Sequence, residues 1–154
     1  MDRKLLLVVM SIILLLVAQC QQHLPQNRAR LSAKALVARR FSPWVKMVHM
    51  NTGDDRDFVH IMGLGRPAFF ALLAPFSTAY DKYNMNGQEI ESKFCSHGNR
   101  ALNAAGTLGL VLHWLSSKAE EKYLCMIFAV TESTFNLYKH FGCMILLMVV
   151  STGR

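Results

Sequence analysis

The stretch Ile127–Phe135, IFAVTESTF, decides how this chain is read. Its ends are apolar and its middle polar, so it interrupts a helical pattern and restarts it within a few residues. Upstream, Glu120–Phe128 reads as a short helix with Leu124, Ile127 and Phe128 on its buried side. Ala129, Val130 and Thr131 form the turn, and the Thr131 hydroxyl can cap the helix that follows. That helix runs to about Val149. Phe135, Tyr138 and Phe141 fall on its inner side, while Ser133, Asn136, Leu137 and His140 share the outer face at i, i+3, i+4, i+7. A helix-turn-helix has this layout: a supporting helix, a tight turn with a small residue, and a second helix whose short polar side chains let its backbone approach base edges. An αα-hairpin that never meets DNA shares most of it.

Moving toward the N-terminus, Asn99 is expected to cap a long helix that reaches Trp114 or Leu115, with Leu102, Ala105, Leu108, Leu112 and Leu115 inward. Gly106 and Gly109 weaken that helix in isolation, so they mark close packing against a neighbour. In GRPAFFALLAPF, Pro67 suits the first helical position, and Phe69, Leu72, Leu73 and Phe76 follow a core period. Pro75 implies a kink or stop near Ala74. Asp54 or Asp55 starts an earlier helix carrying Phe58, Ile61 and Met62, with Gly63 as its stop. Ser32 begins a short helix through Arg40 that Pro43 ends. No segment alternates with period two. The expected fold class is all-α: a small bundle of five to six short helices with a C-terminal helix-turn-helix at about 119–142, plus an N-terminal apolar helix. The expected parts are residues 1–20 (apolar or signal-like), 21–50 (a basic arm) and 51–150 (the helical domain).

Charge sharpens the picture. The 154 residues carry a formal net charge of +7. From Cys20 to Met50 stand Arg28, Arg30, Lys34, Arg39, Arg40 and Lys46 with no acid, while the remainder is near neutral. An acidic partner is implied, either nucleic acid or an anionic membrane surface. The four cysteines, at 20, 95, 125 and 143, form no C-x-x-C pair and suggest reduced thiols in an intracellular protein. The N-terminus points elsewhere. Arg3 and Lys4 precede an apolar run from Leu5 to Ala18, and Ala18-Gln19-Cys20 has the shape of a signal cleavage site. That run is short for a membrane span.

Sites for chemistry are weak. Gly63 to Ala68 fits G-x-G-x-x-A, but that fingerprint needs a preceding strand and a βαβ unit, and neither is expected. Cys95 and His97 have no second pair at zinc spacing. Asp54, Asp55 and Asp57 are ordinary helix-start acids, and His113 reads as a packing residue. Met126, Met144 and Met148 read as core filling. Cys143 to Val150, CMILLMVV, is expected to present an uncovered apolar surface. No catalytic residue, metal site or cofactor is expected.

Three blocks, RDFVHIMGLGRPAFFALLAPF, NRALNAAGTLGLVLHWLSS and KYLCMIFAVTESTFNLYKHF, resemble in order and spacing the N-terminal region of Harbinger-type DDE transposases. The resemblance covers about Phe58 to Gly142, and FAVTESTFN (Phe128 to Asn136) matches the family's helix-turn-helix block most closely. Ala129 stands where the family usually has glycine, Leu137 where it often has arginine, and Ser116-Ser117 where it has a Thr-Gly cap. The RNase-H-like catalytic domain that follows in the family is not among the 154 residues. The resemblance therefore implies duplex-DNA binding in the nucleus without nuclease activity, with a transposase or its accessory protein as a further partner. Ser133, Asn136, Leu137 and His140 would face bases. Arg28, Arg30, Arg39, Arg40, Lys118, Lys122 and Lys139 would meet phosphates. Two other readings stand beside it. One is a secreted or membrane-tethered helical protein that uses residues 1–20 as signal or anchor; the other is a protein-interaction module.

Overall fold

The fold is organised around a segment that is apolar on every side, AAGTLGLVLHWLS. The computed structural model describes residues 36–49, 55–90, 100–117 and 119–152, all within the unit Leu31–Arg154. Among them are six α-helices: α1 (Pro43–His49), α2 (Asp55–Met62), α3 (Arg66–Lys82), α4 (Ala104–Ser116), α5 (Glu121–Phe128) and α6 (Glu132–Thr152). A 3-10 turn, Arg39–Phe41, precedes them. The described residues contain no strand beyond a single bridge between Tyr83 and Glu89. The all-α class is what the absence of period-two patterning implies. The apolar run Leu5–Ala18, the expected helix start at Ser32, and Asp54, Cys95, His97 and Asn99 lie outside the described residues.

Helix α4 is buried continuously from Gly106 to His113. A helix apolar all round is stable only when coated on all sides, and α2, α3, α5 and α6 supply that coat. Its cap differs from the expectation. Asn103, not Asn99, is the N-cap, and its side-chain oxygen accepts the Gly106 N–H at 2.8 Å. Gly106 follows its cap closely, so the oxygen reaches an otherwise orphaned amide. Leu102 is buried ahead of the helix rather than on it.

Gly109 and Gly142 lie where a neighbour crosses, whereas a Cβ on Gly106 would meet only its own cap region, Asn103 and Leu102, so Gly106 does not mark the helix packing expected of it. A Cβ on Gly109 would come within 2.2 Å of the Trp44 ring. Trp44 is 5% exposed and packs against Phe128 at 5.2 Å and edge-on to Phe69 at 6.0 Å. A Cβ on Gly142 would meet Val111 at 2.6 Å and Thr107 at 2.9 Å, so this glycine lets α6 lie against α4. The reading of Gly109 as a packing mark holds.

Trp44 also explains why Pro43 does not end a helix. Pro43 opens α1, where its missing N–H has no helical partner to lose. The Ser42 hydroxyl accepts the Val45 N–H at 3.3 Å, and burial of Trp44 and Ser42 holds the turn in place. Pro75 likewise does not stop α3, which continues to Lys82. Pro75 is exposed, while Phe69, Phe76 and Tyr80 on the opposite side are buried. That burial outweighs the loss of one backbone hydrogen bond. Gly63 ends α2 as expected, with φ +72°, and its N–H donates to the Val59 carbonyl at 2.8 Å.

Polar ties join the ends of the helices. His113 Nδ1 lies 2.6 Å from the Ile61 carbonyl, which also accepts from Ser116 Oγ at 3.0 Å. Arg100 donates to the Tyr80 and Tyr83 carbonyls, each at 2.6 Å, satisfying the end of α3. The Tyr80 hydroxyl donates to the Leu102 carbonyl, and the Tyr138 hydroxyl accepts the Ala101 N–H, both at 2.6 Å. Burial is the main cause that raises the Tyr80 phenol above its ordinary range.

The C-terminal run is not the uncovered apolar surface expected. Ile145 and Leu146 are buried in the core, and Met144 and Met148 pack against it. Seven consecutive apolar residues on a helix must point in all directions, and here close approach at Gly142 lets α4 cover one side. Met126 departs from expectation the other way: it is 51% exposed.

Gly109→Ala is expected to lower stability by roughly 1–3 kcal/mol, the usual range for overpacking a filled core. The urea midpoint of the full chain measures it. Combined with Trp44→Leu, the loss should be smaller than the sum of the two single losses, because the smaller side chain removes the clash. An unchanged midpoint for Gly109→Ala would remove the wedge.

Candidate functional site

The connection between α5 and α6 is built from backbone chemistry. The Ala129 N–H donates to the Met126 carbonyl at 3.3 Å, and the Val130 N–H to the Cys125 carbonyl at 3.0 Å. These are the two bonds of a Schellman ending, with Ala129 in the left-handed region at φ 51°, ψ 50°. Among the described residues it is the only non-glycine with positive φ. Val130, 2% exposed, buries its side chain beneath the turn. Thr131 then starts α6: its Oγ1 accepts the Thr134 N–H at 3.4 Å, and its carbonyl accepts the Phe135 N–H at 2.7 Å. The capping role expected of Thr131 is present.

Phe135, Tyr138 and Phe141 are buried, as their spacing implies. On the opposite side, Ser133 and His140 are exposed, Asn136 is half-buried and Leu137 is 48% exposed. These four side chains form one outward stripe over the first two turns of α6. Ser133 Oγ shares a hydrogen bond with Thr131 Oγ1 at 3.1 Å. The stripe offers side chains that can donate and accept, Ser133 and Asn136 among them, with Leu137 as an apolar neighbour and the His140 imidazole at its far end.

The expected phosphate contacts divide. Arg40 is exposed, its guanidinium 4.8 Å from the Phe41 ring. Lys122 is exposed and pairs with Glu120 at 2.9 Å, a surface bridge that costs little to break. Lys139 is a correction. Its side chain is 9% exposed, and its Nζ lies 2.7 Å from Glu121 Oε1, 5.2 Å from the Trp114 ring and 5.4 Å from the Phe135 ring. One position before His140 on a helix is a rotation of about 100°, enough to turn the stem into the α5–α6 seam. Lys139 therefore braces the two helices rather than facing outward. Arg28, Arg30 and Lys118, and the side chain of Arg39, lie outside the described residues.

Two side chains here carry an exposure that sequence reading missed, Met126 having been expected in the core. Tyr123 and Met126, at i and i+3 on the outer side of α5, are both about half exposed (53% and 51%). Their signal was the spacing itself, opposite Leu124 and Phe128, hidden because YLCMIF is apolar throughout. Cys125 is fully buried, and desolvation, then the nearby Glu132 and Glu121, push its thiol up to about 12. It remains protonated and unreactive near neutrality. No three His, Cys, Asp or Glu side chains among the described residues are grouped as a metal site. The Gly63–Ala68 stretch follows helix α2, not a strand.

Ala129→Gly is expected to stabilise the chain by about 0.5–1 kcal/mol. The left-handed conformation costs an L-residue roughly 1–2 kcal/mol, more than the roughly 0.4–1 kcal/mol that glycine adds through the unfolded chain. Ala129→Val should destabilise instead. Separately, Glu121→Gln leaves the Lys139 ammonium nearly buried without its carboxylate and should cost roughly 1–2 kcal/mol, a figure reduced because Glu121 is itself half exposed. Chemical denaturation of each variant checks both, and equal midpoints throughout would remove the strained turn and the brace. Comparison with known proteins finds no match to this chain among family models, curated proteins or solved structures.

Proposed function

We propose that α5, the turn at Ala129 and α6 act as a helix-turn-helix that binds duplex DNA, as a non-catalytic, nuclear relative of the DNA-binding region of Harbinger-type transposases. One observation carries the reading: the outward stripe of Ser133, Asn136, Leu137 and His140 stands on a helix whose inner side is anchored by Phe135, Tyr138 and Phe141. A reading helix must be held rigidly from behind while keeping short polar groups free in front. Asn136 can bond an adenine edge through both its donor and its acceptor, and Leu137 can touch a thymine methyl. Affinity in this reading comes chiefly from the basic arm, since the lysines beside the stripe have acidic partners: Lys122 with Glu120 and Lys139 with Glu121. Arg28, Arg30, Arg39 and Arg40 are the phosphate contacts assigned to the arm. A transposase or its accessory protein is the further partner that the family resemblance suggests.

The second reading, a secreted or membrane-tethered protein, draws on the apolar run Leu5–Ala18 and on α6. Over Glu132–Ser151, α6 is long and apolar enough by length and composition to cross a membrane. Its side chains Phe135, Tyr138, Phe141 and Ile145 are nevertheless buried against protein, as those of a core helix in a helical bundle are.

Fluorescence anisotropy of the full chain on a selected duplex and a scrambled one, across salt, separates these readings. Asn136→Ala should cost about 1–3 kcal/mol on the selected duplex alone. Replacing Arg28, Arg30, Arg39 and Arg40 by alanine should weaken both duplexes and flatten the salt dependence by about one unit of slope per lost phosphate contact. Lys139→Met should leave that slope unchanged. Absence of binding to either duplex at low salt rejects the DNA reading. An equal loss on both duplexes for Asn136→Ala removes α6 as the reader.

A further inference from the structure

The apolar side chains exposed on α5 do not belong to the stripe on α6. Tyr123, Met126 and Ile127 line one side of a shallow groove whose other side is Leu36, Val37 and Pro43. Val37 is 56% exposed, Tyr123 53% and Met126 51%. Large apolar groups left together at a surface mark a contact site more often than groups scattered singly. The α5 wall of the groove spans Tyr123 to Ile127, roughly 6 Å at 1.5 Å per residue. That is about one turn of a docked helix, with flanking turns free to reach beyond it.

Charge selects the occupant. Arg40 and Lys46 are exposed on the segment that forms the Pro43 side of the groove, and Lys46 sits at i+3 from Pro43 on α1. Neither has a carboxylate partner among the described residues. The acids nearest in sequence to the other side, Glu120 and Glu121, are engaged by Lys122 and Lys139. A second copy seated here would bring Arg40 and Lys46 of both chains together, an unfavourable like-charge contact. A nucleic acid backbone could use the basic edge but would leave the apolar floor unfilled.

We propose that this groove docks an acidic amphipathic helix from another protein, its apolar side on Val37, Tyr123 and Met126 and its carboxylates against Arg40 and Lys46. The mode is a helix laid in a groove, with anchors at i, i+3, i+4 and i+7 and the rim charges setting specificity. Its apolar wall on α5 shares no side chain with the outward stripe of α6, while Arg40 is common to this proposal and the DNA reading.

The test uses the full chain and a labelled synthetic peptide of roughly 18 residues, about five helical turns, with leucine at those anchor positions and glutamate at the rest. A control peptide carries lysine in place of every glutamate. The glutamate peptide should bind saturably, with a dissociation constant on the order of 10 μM for so small an interface, and the lysine peptide should not bind. Met126→Asp and Val37→Asp should each weaken binding about tenfold or more by replacing buried apolar contact with a desolvated carboxylate. Both positions are exposed in the free chain, and thermal melts of the variants check that the fold is kept. Arg40→Ala with Lys46→Ala should weaken binding severalfold and remove most of its salt dependence, whereas Asn136→Ala should leave it unchanged.

Equal binding of the two peptides, no binding of either, or an unchanged affinity in Met126→Asp overturns the proposal. Light scattering that shows a dimer dissociated by Met126→Asp would assign the face to a second copy. Binding to phosphatidylserine vesicles that Met126→Asp abolishes, without peptide binding, would assign it to a lipid surface. Either result also overturns the proposal.

Discussion

The crossing of Trp44 over Gly109 is the constraint on which the rest of the unit depends. Helix α4 is apolar on every side, and a helix of that kind cannot stand at a surface. It needs neighbours in every direction, and a neighbour carrying an indole ring needs a gap into which the ring can go. Gly109 is that gap. The ring that fills it also touches Phe69 on α3 and Phe128 on α5, so one side chain fixes three helices around the fourth. Gly142 does the same for α6 on another side of α4, against Val111 and Thr107. These contacts set where α5 and α6 lie, and hence which side of α6 is left outward.

The outward stripe is therefore a consequence of core packing. Phe135, Tyr138 and Phe141 are drawn inward by burial, and the geometry of a 3.6-residue turn then leaves Ser133, Asn136, Leu137 and His140 on the other side. The turn at Ala129 holds the angle between the two helices at the cost of a left-handed L-residue. The Lys139–Glu121 pair reinforces it from the opposite end of the seam. A lysine that looks like a surface charge in the sequence thus serves alignment, with its stem covering aromatic rings.

Two outward surfaces with different chemistry follow from this arrangement. The stripe on α6 is mostly polar and short, suited to hydrogen bonds with a flat, regularly spaced target. The groove between α5 and the Leu36–Pro43 segment is lined by apolar side chains, and Arg40 and Lys46 are exposed close in sequence to its Pro43 side. The two helices are consecutive, so the Schellman turn between them separates the surfaces. Arg40 lies in sequence between Val37 and Pro43, two of the residues that line the groove.

Local pattern and elementary stereochemistry were enough to read much of this from the sequence. The all-α class, the glycine stop at Gly63, the Thr131 cap, the inward trio on α6 and the outward four rest on period, capping and backbone freedom within a few residues of chain. Packing between distant segments decided the remainder. Asn103 rather than Asn99 caps α4, because burial of Leu102 sets where the chain turns. Pro43 begins a helix because Trp44 has a site waiting on α4, and Pro75 is carried through α3 because Phe76 and Tyr80 are held in the core. Lys139 turns inward because Glu121, 18 residues earlier in the chain, is brought beside it by the α5–α6 crossing; Met126 turns outward because Leu124, Cys125 and Phe128 occupy the covered side of α5. A periodic sequence states which side chains prefer burial, but only the arrangement of the helices determines how much buried surface there is to share.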